Sequence, residues 1–182
     1  MTTVSPRVGD NEREGNRADA FQLKPVTPED LAWIDGAVDR WHGSLRWSIA
    51  DQMPALAEVQ ARVWDDVAAQ RTVWHPSTGP VALLQLVDVN LYNGVAGLEL
   101  LVAPHAVSQL QSAVTGFVDR GAVDLPLRKL TFGCASGALP VRELTGGRAV
   151  PVGCYRNHEK VAGGRYRDID LYELWCAAGD DP

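Results

Sequence analysis

Residues 81–89, VALLQLVDV, are almost entirely apolar and of strand length. Such a run is a central strand with both faces covered, which restricts the chain to sheets that carry material on each side. Asn93-Gly94 follows and is the strongest hairpin signal in the chain, because both residues tolerate the positive φ of a tight turn. Residues 95–102 (VAGLELLV) then return as a second strand, closed by Pro104. This antiparallel hairpin anchors the sheet.

The remaining elements are read outward from it. Residues 21–26 alternate and predict a short first strand. Thr27-Pro28-Glu29-Asp30 carries a helix start, with Thr27 as N-cap, Pro28 in the first helical position and acids in the first turn. Leu31, Ile34, Val38 and Trp41 fall on one face of that helix. Leu56, Val59, Val63 and Val67 predict a second helix, from residue 53 or 54 to about 71, with WHGSLRWS (41–48) as a loop between the two. Residues 72–75 predict a strand ended by the Pro- and Gly-containing turn at 76–80.

A helix is expected over about 106–120, with Leu110, Val114, Phe117 and Val118 inward, broken by Gly121 and Pro126. Residues 129–134 (KLTFGC) read as a strand, and 137–146 as a short helix weakened by Pro140. Residues 150–160 and 166–175 read as a last strand pair joined at Gly163-Gly164. The sum is a mixed α/β domain: a central, largely antiparallel, twisted sheet of about six or seven strands flanked by about four helices. One domain over residues 20–176 is expected, between a polar, flexible tail at 1–19 and a short tail at 177–182.

Charge and cysteine usage exclude several function classes. The formal charge is −6 and the pI about 5.1, a poor match to nucleic acid, whose affinity rests on neutralised phosphates. An acidic surface favours a cationic amine by long-range attraction. No stretch approaches the roughly 20 apolar residues of a membrane span, and the N-terminus lacks the pattern of a secretory signal. Cys134, Cys154 and Cys176 are odd in number and widely spaced, as are His42, His75, His105 and His158. Neither set has metal-ligand spacing, and a reducing, cytoplasmic setting is expected.

The last strands read GCYRNHEKVAGGRYRDIDLYELW, residues 153–175. Gly153, Arg156, Gly164, Tyr166, Asp168 and Tyr172 follow, in order and spacing, the closing pattern of GNAT-superfamily N-acetyltransferases. The segment most resembles the ribosomal-protein N-terminal acetyltransferase-like subgroup. The element order over residues 21–175 is similar to that family as well. The resemblance implies a GNAT-like fold and transfer of an acyl group, acetyl first among them, from acetyl-CoA or another acyl-CoA to the primary amine of a small molecule or peptide. It implies structural roles for most of the matched residues, Tyr166 and Tyr172 included.

Within that resemblance, Leu101-Val102-Ala103-Pro104 matches the strand end that leads into the donor's pyrophosphate loop. The expected donor contacts are then Leu101, Val102, His105, Val107, Ser108, Leu110 and Ser112. The loop departs from the family: residues 105–112 (HAVSQLQS) contain no glycine and no arginine, so close backbone approach is restricted and the cradle is degenerate. The helix start and the hydroxyls of Ser108 and Ser112 remain as possible donors to phosphate.

A direct transfer needs a base for the ammonium. Glu99, on the strand where several such enzymes place a glutamate, is the first candidate, with a solvent-facing position by alternation as its alternative. Asp88, flanked by Val87 and Val89, is the second. No acid is assigned: Cys134, Ser136 and Tyr155 are the groups at hand. Trp41, Trp47 and Trp74 are candidates for an acceptor pocket, where cation–π contact would suit an amine, and Trp33 is expected in the core. Two other readings stay open: a carrier-protein or aminoacyl-tRNA donor, and a catalytically silent domain that binds a ligand or partner. A homodimer is compatible with an open-ended sheet.

Overall fold

The computed structural model describes residues 21–38, 42 and 43, 67–160 and 164–176. In chain order the elements are β1 (Gln22–Lys24), α1 (Leu31–Val38), β2 (His42–Gly43), β3 (Val67–His75), β4 (Gly79–Asn90), β5 (Val95–Val102), α2 (Gln111–Asp124), β6 (Lys129–Ala135), α3 (Val141–Leu144), β7 (Ala149–Lys160) and β8 (Tyr166–Trp175). They build a mixed α/β domain on one sheet, ordered β1-β3-β4-β5-β6-β8-β7, with β2 beside this path on β5. Every pairing is antiparallel except that of β5 with β6. β8, the last strand in sequence, lies between β6 and β7.

The apolar run fills the middle of this sheet. Residues Val81 to Val87 of β4 are all buried, and the turn after Asn90 is closed by Gly94 at φ 61°, with the Asn93 amide donating to Asn90 Oδ1 at 3.0 Å. Period-two alternation sends Ala82, Leu84 and Leu86 to one face, opposite Val102, Leu100 and Leu98 of β5. α2 packs on that face through Ala113, Val114, Phe117, Val118, Gly121 and Ala122. The approach is close at Gly121, where a Cβ would stand 2.5 Å from Leu86 Cδ1.

Gly121 therefore sits inside α2 and does not end it; the helix runs on to Asp124, and Pro126 follows the break. β3 begins at Val67, so the last five residues of the expected second helix are strand. Their backbone pairs with β4 through Val67↔Val87, Ala69↔Leu86, Gln70↔Gln85 and Arg71↔Leu84. The ladder overrides a valine spacing that also fits a helix. The rest of that expected helix, residues 53–66, and both expected tails lie outside the described residues. Of the helix expected over 137–146 only Val141–Leu144 forms, beginning directly after Pro140 as its N-cap residue, where the missing N–H is not needed. At the other end, Asp30 Oδ2 accepts from both the Thr27 amide at 2.8 Å and the Thr27 hydroxyl at 3.0 Å, which fixes the start of α1.

Candidate functional site

The parallel pair is where the sheet opens. β5 and β6 are matched at Val95↔Lys129, Ala96↔Leu130 and Gly97↔Thr131. β5 then continues to Val102 and β6 to Ala135, so the two strands part beyond Gly97. Gly97 is required there, since a Cβ would lie 2.9 Å from Val87 Cγ2. Glu99 is two residues past the last pair and is 6% exposed. The solvent-facing alternative for this carboxyl is thereby removed.

Further along, β2 lies on β5 at Val102 and Leu101. β4 flanks the same two residues on their other side, and both side chains are buried. The backbone expected to meet a donor is thus bordered by the chain itself.

The segment after β5 closes on itself before α2 begins. The amides of Ala106 and Gln109 donate to the Ala103 and Ala106 carbonyls, each at 2.9 Å, and that of Leu110 to Val107 at 3.4 Å. Leu110 is the N-cap residue and is fully buried, so its side chain belongs to the core and not to a cradle. Val107 is half-buried, while His105, Ser108 and Ser112 are exposed. What remains for an anion is the first turn of α2, whose amides have no acceptor within the helix and sit at the positive end of its dipole.

A polar row crosses the sheet beside the opening. Gln70 of β3 pairs with Gln85 of β4, which pairs with Glu99 of β5. Residues directly opposite one another share a face, here the face turned away from α2. Gln85 is fully buried, and its Nε2 donates to Gln70 Oε1 at 3.2 Å. Sequence reading passed over Gln85, although a lone glutamine inside VALLQLVDV was the signal: a polar group there must be partnered or used.

The other candidates do not converge on Glu99. Asp88 is exposed at the hairpin end of β4, at φ 49° in the bulge between Val87 and Asn90. Aspartate tolerates that conformation better than most side chains, which explains an acid between two valines. Tyr155 is 53% exposed on β7 and packs against His158 at 4.8 Å; three strand spacings set β7 about 14 Å from β5. Trp74 is half-buried, donates to Thr72 Oγ1 at 3.1 Å, and already carries Lys24 Nζ 4.2 Å from its ring centre. Trp41 and Trp47 lie outside the described residues. Cys134 is buried, and burial, with Asp170 nearby, pushes its thiol up to about 11, so it stays protonated and packs as a small hydrophobe.

The closing pattern holds the last hairpin together. Asp168 accepts from the Asn157 amide at 2.8 Å and from Arg156 Nη1 at 2.7 Å. The amide and then the guanidinium hold its carboxyl below the usual range. Tyr172 stacks on Phe132 at 5.3 Å, and burial raises its hydroxyl's pKa. Among the described residues, no group of three or more His, Cys, Asp or Glu side chains is placed to hold a metal ion, and no helix is long and apolar enough to cross a membrane.

Comparison with solved structures decides the architecture. The chain is similar to spermidine N-acetyltransferase from Vibrio cholerae in complex with CoA and spermine, at TM-score 0.67 and 17% identity over 85% of this chain and 95% of that one. A dodecameric structure of the Vibrio cholerae enzyme in an intermediate state gives TM-score 0.65 and 18% identity over 85% and 93%. The fold is GNAT-like. No family model and no curated protein sequence matches the chain.

Proposed function

We propose that this chain is an N-acyltransferase that moves an acyl group, acetyl first among them, from a CoA thioester to a primary amine. The observation that carries the reading is the buried carboxyl of Glu99 on β5 just past the point where β5 and β6 part. Glu99 takes a proton from the acceptor's ammonium, directly or through water, and the freed lone pair attacks the thioester carbonyl. The intermediate loses the second ammonium proton to solvent, then collapses to the amide and releases CoA as thiolate. Tyr155, three strands away, is not positioned to protonate it, so solvent is the proton source.

The CoA pyrophosphate would rest on the first turn of α2, with Ser108 and Ser112 as hydroxyl donors. A polyamine, the class named for the Vibrio cholerae enzyme, is the first acceptor to screen, since a chain of charge −6 attracts polycations.

One observation favours a second reading, a silent ligand- or partner-binding domain: β2 borders Leu101 and Val102, and the loop amides of Ala106, Gln109 and Leu110 are used internally. Isothermal titration with acetyl-CoA separates the two. Saturable micromolar binding, with transfer to an amine that falls by about a hundredfold or more in Glu99→Gln while binding holds, supports the transferase. An absence of binding at millimolar acetyl-CoA sinks it.

A further inference from the structure

We propose that Gln85 is a positioning residue for Glu99: its side-chain oxygen receives the hydrogen bond of the Glu99 carboxyl once that carboxyl has taken the acceptor's proton. The inference rests on the acyl-transfer reading above and goes beyond it by naming what makes Glu99 a competent base.

Three observations carry it. Gln85 and Glu99 are directly opposed in the β4–β5 ladder, which sets their Cβ atoms about 5 Å apart on one face. The amide nitrogen of Gln85 is committed to Gln70 on the opposite side, so the oxygen is turned away from β3. That oxygen is buried and has no hydrogen-bond partner among the described residues. A buried acceptor left without a donor is rare and calls for a reason.

The chemistry of Glu99 supplies the reason. An ionised carboxylate has no hydrogen to give. When the ammonium N–H bond breaks and an O–H bond forms on Glu99, the nitrogen keeps the electron pair for attack and the carboxyl becomes a donor. Its nearest buried acceptor across the ladder is Gln85 Oε1. A hydrogen bond made only by the neutral acid favours protonation, and this brings a glutamate closer to the proton affinity that deprotonating an amine requires. On Glu99's face, β3 and β4 present Gln70, Thr72 and Gln85, and β6 presents Thr131 and, level with Val95, Lys129, whose ammonium is paired with Glu173 at 2.7 Å. Gln70 Oε1 takes the Gln85 amide N–H, which leaves the Gln85 oxygen on the side away from β3.

The test reads Glu99 directly. Protein carrying ¹³C at glutamate carboxyls is titrated by NMR as wild type, Gln85→Met and Gln70→Leu, with Glu99→Gln identifying the resonance. Gln85→Met removes the acceptor. Gln70→Leu frees the amide to turn and donate to the carboxylate, and it serves on its own if the first variant does not fold. Both are expected to lower the Glu99 midpoint by about one pH unit, tenfold in proton affinity. Unchanged midpoints in the folded variants overturn the proposal. Acetyl transfer by the same wild-type sample is scored separately. Transfer without a midpoint shift overturns the role of Gln85 alone. A shift without transfer supports the hydrogen bond and overturns the acyl-transfer reading on which its catalytic use rests.

Discussion

Replacing Gly121 by alanine tests whether the contact between α2 and β4 is as tight as the geometry implies. Two effects oppose one another. In mid-helix the change gains about 0.5–1 kcal/mol, because glycine gives up more backbone freedom than alanine on folding. Against that, the new methyl would meet Leu86 Cδ1 at 2.5 Å, well inside contact distance. Leu86 is fully buried, so it has no solvent to turn into, and overpacking of this kind costs about 1–3 kcal/mol. The second effect wins, and a net loss of about 1–2 kcal/mol is expected, or roughly 3–6 °C in Tm for a domain of this size.

Urea titration followed by circular dichroism measures it, provided the m-value is unchanged. A partner substitution isolates the cause. Leu86→Ala alone should lose about 2–5 kcal/mol, but with that side chain gone the methyl at 121 has room, and Gly121→Ala should become neutral or stabilising. If Gly121→Ala matches wild type, or loses the same amount in both backgrounds, the steric reasoning is wrong.

Two further outcomes concern the ionisable groups. Asp168 has its carboxyl held down in the folded state by the Asn157 amide and Arg156, so its contribution is complete above the ordinary carboxylate range and is lost as pH falls through the folded value. Asp168→Asn should therefore lower stability at neutral pH and flatten the acid limb of the stability–pH curve; urea midpoints between pH 3 and pH 7 that track wild type in parallel would contradict this. With its thiol near 11, Cys134 carries roughly one thiolate in a thousand at pH 8, and Cys176 is buried as well. An aromatic disulfide reagent should label the half-exposed Cys154 first and reach the other two only on unfolding, and prompt labelling of all three would refute the packing around β6.

Where the residues repeat with one period and one consequence, the sequence was readable. VALLQLVDV, Asn93-Gly94 and the final hairpin each combine length, alternation and turn chemistry that agree, and the strands fall within a residue or two of expectation. Val67 shows the limit: four-residue spacing from Val59 is helical on paper, yet its backbone groups are taken by a strand distant in sequence. Pairing of that kind is decided by tertiary context.

Glu99 is singled out through the resemblance, while alternation alone left its carboxyl free to face solvent; its burial is a finding of the fold. The row that gives it neighbours depends on register between three strands, and no single segment records a register. Asp88 drew attention because an acid between valines looks buried. The bulge that turns it outward is a property of the hairpin and not of the tripeptide.

The place of β8 bears on how the chain is made. β6 and β7 are both synthesised before the strand that will join them. At about 5–20 residues per second, the 40 or so residues from the end of β6 to the end of β8 take a ribosome roughly 2–8 s. Through that interval β6 offers an unpaired edge, and from Lys160 onward β7 offers a second one, so that the nascent sheet has a missing middle. A codon change or stall in that stretch would lengthen the exposure without altering a single side chain, and a chain released before Tyr166 would have no way to close.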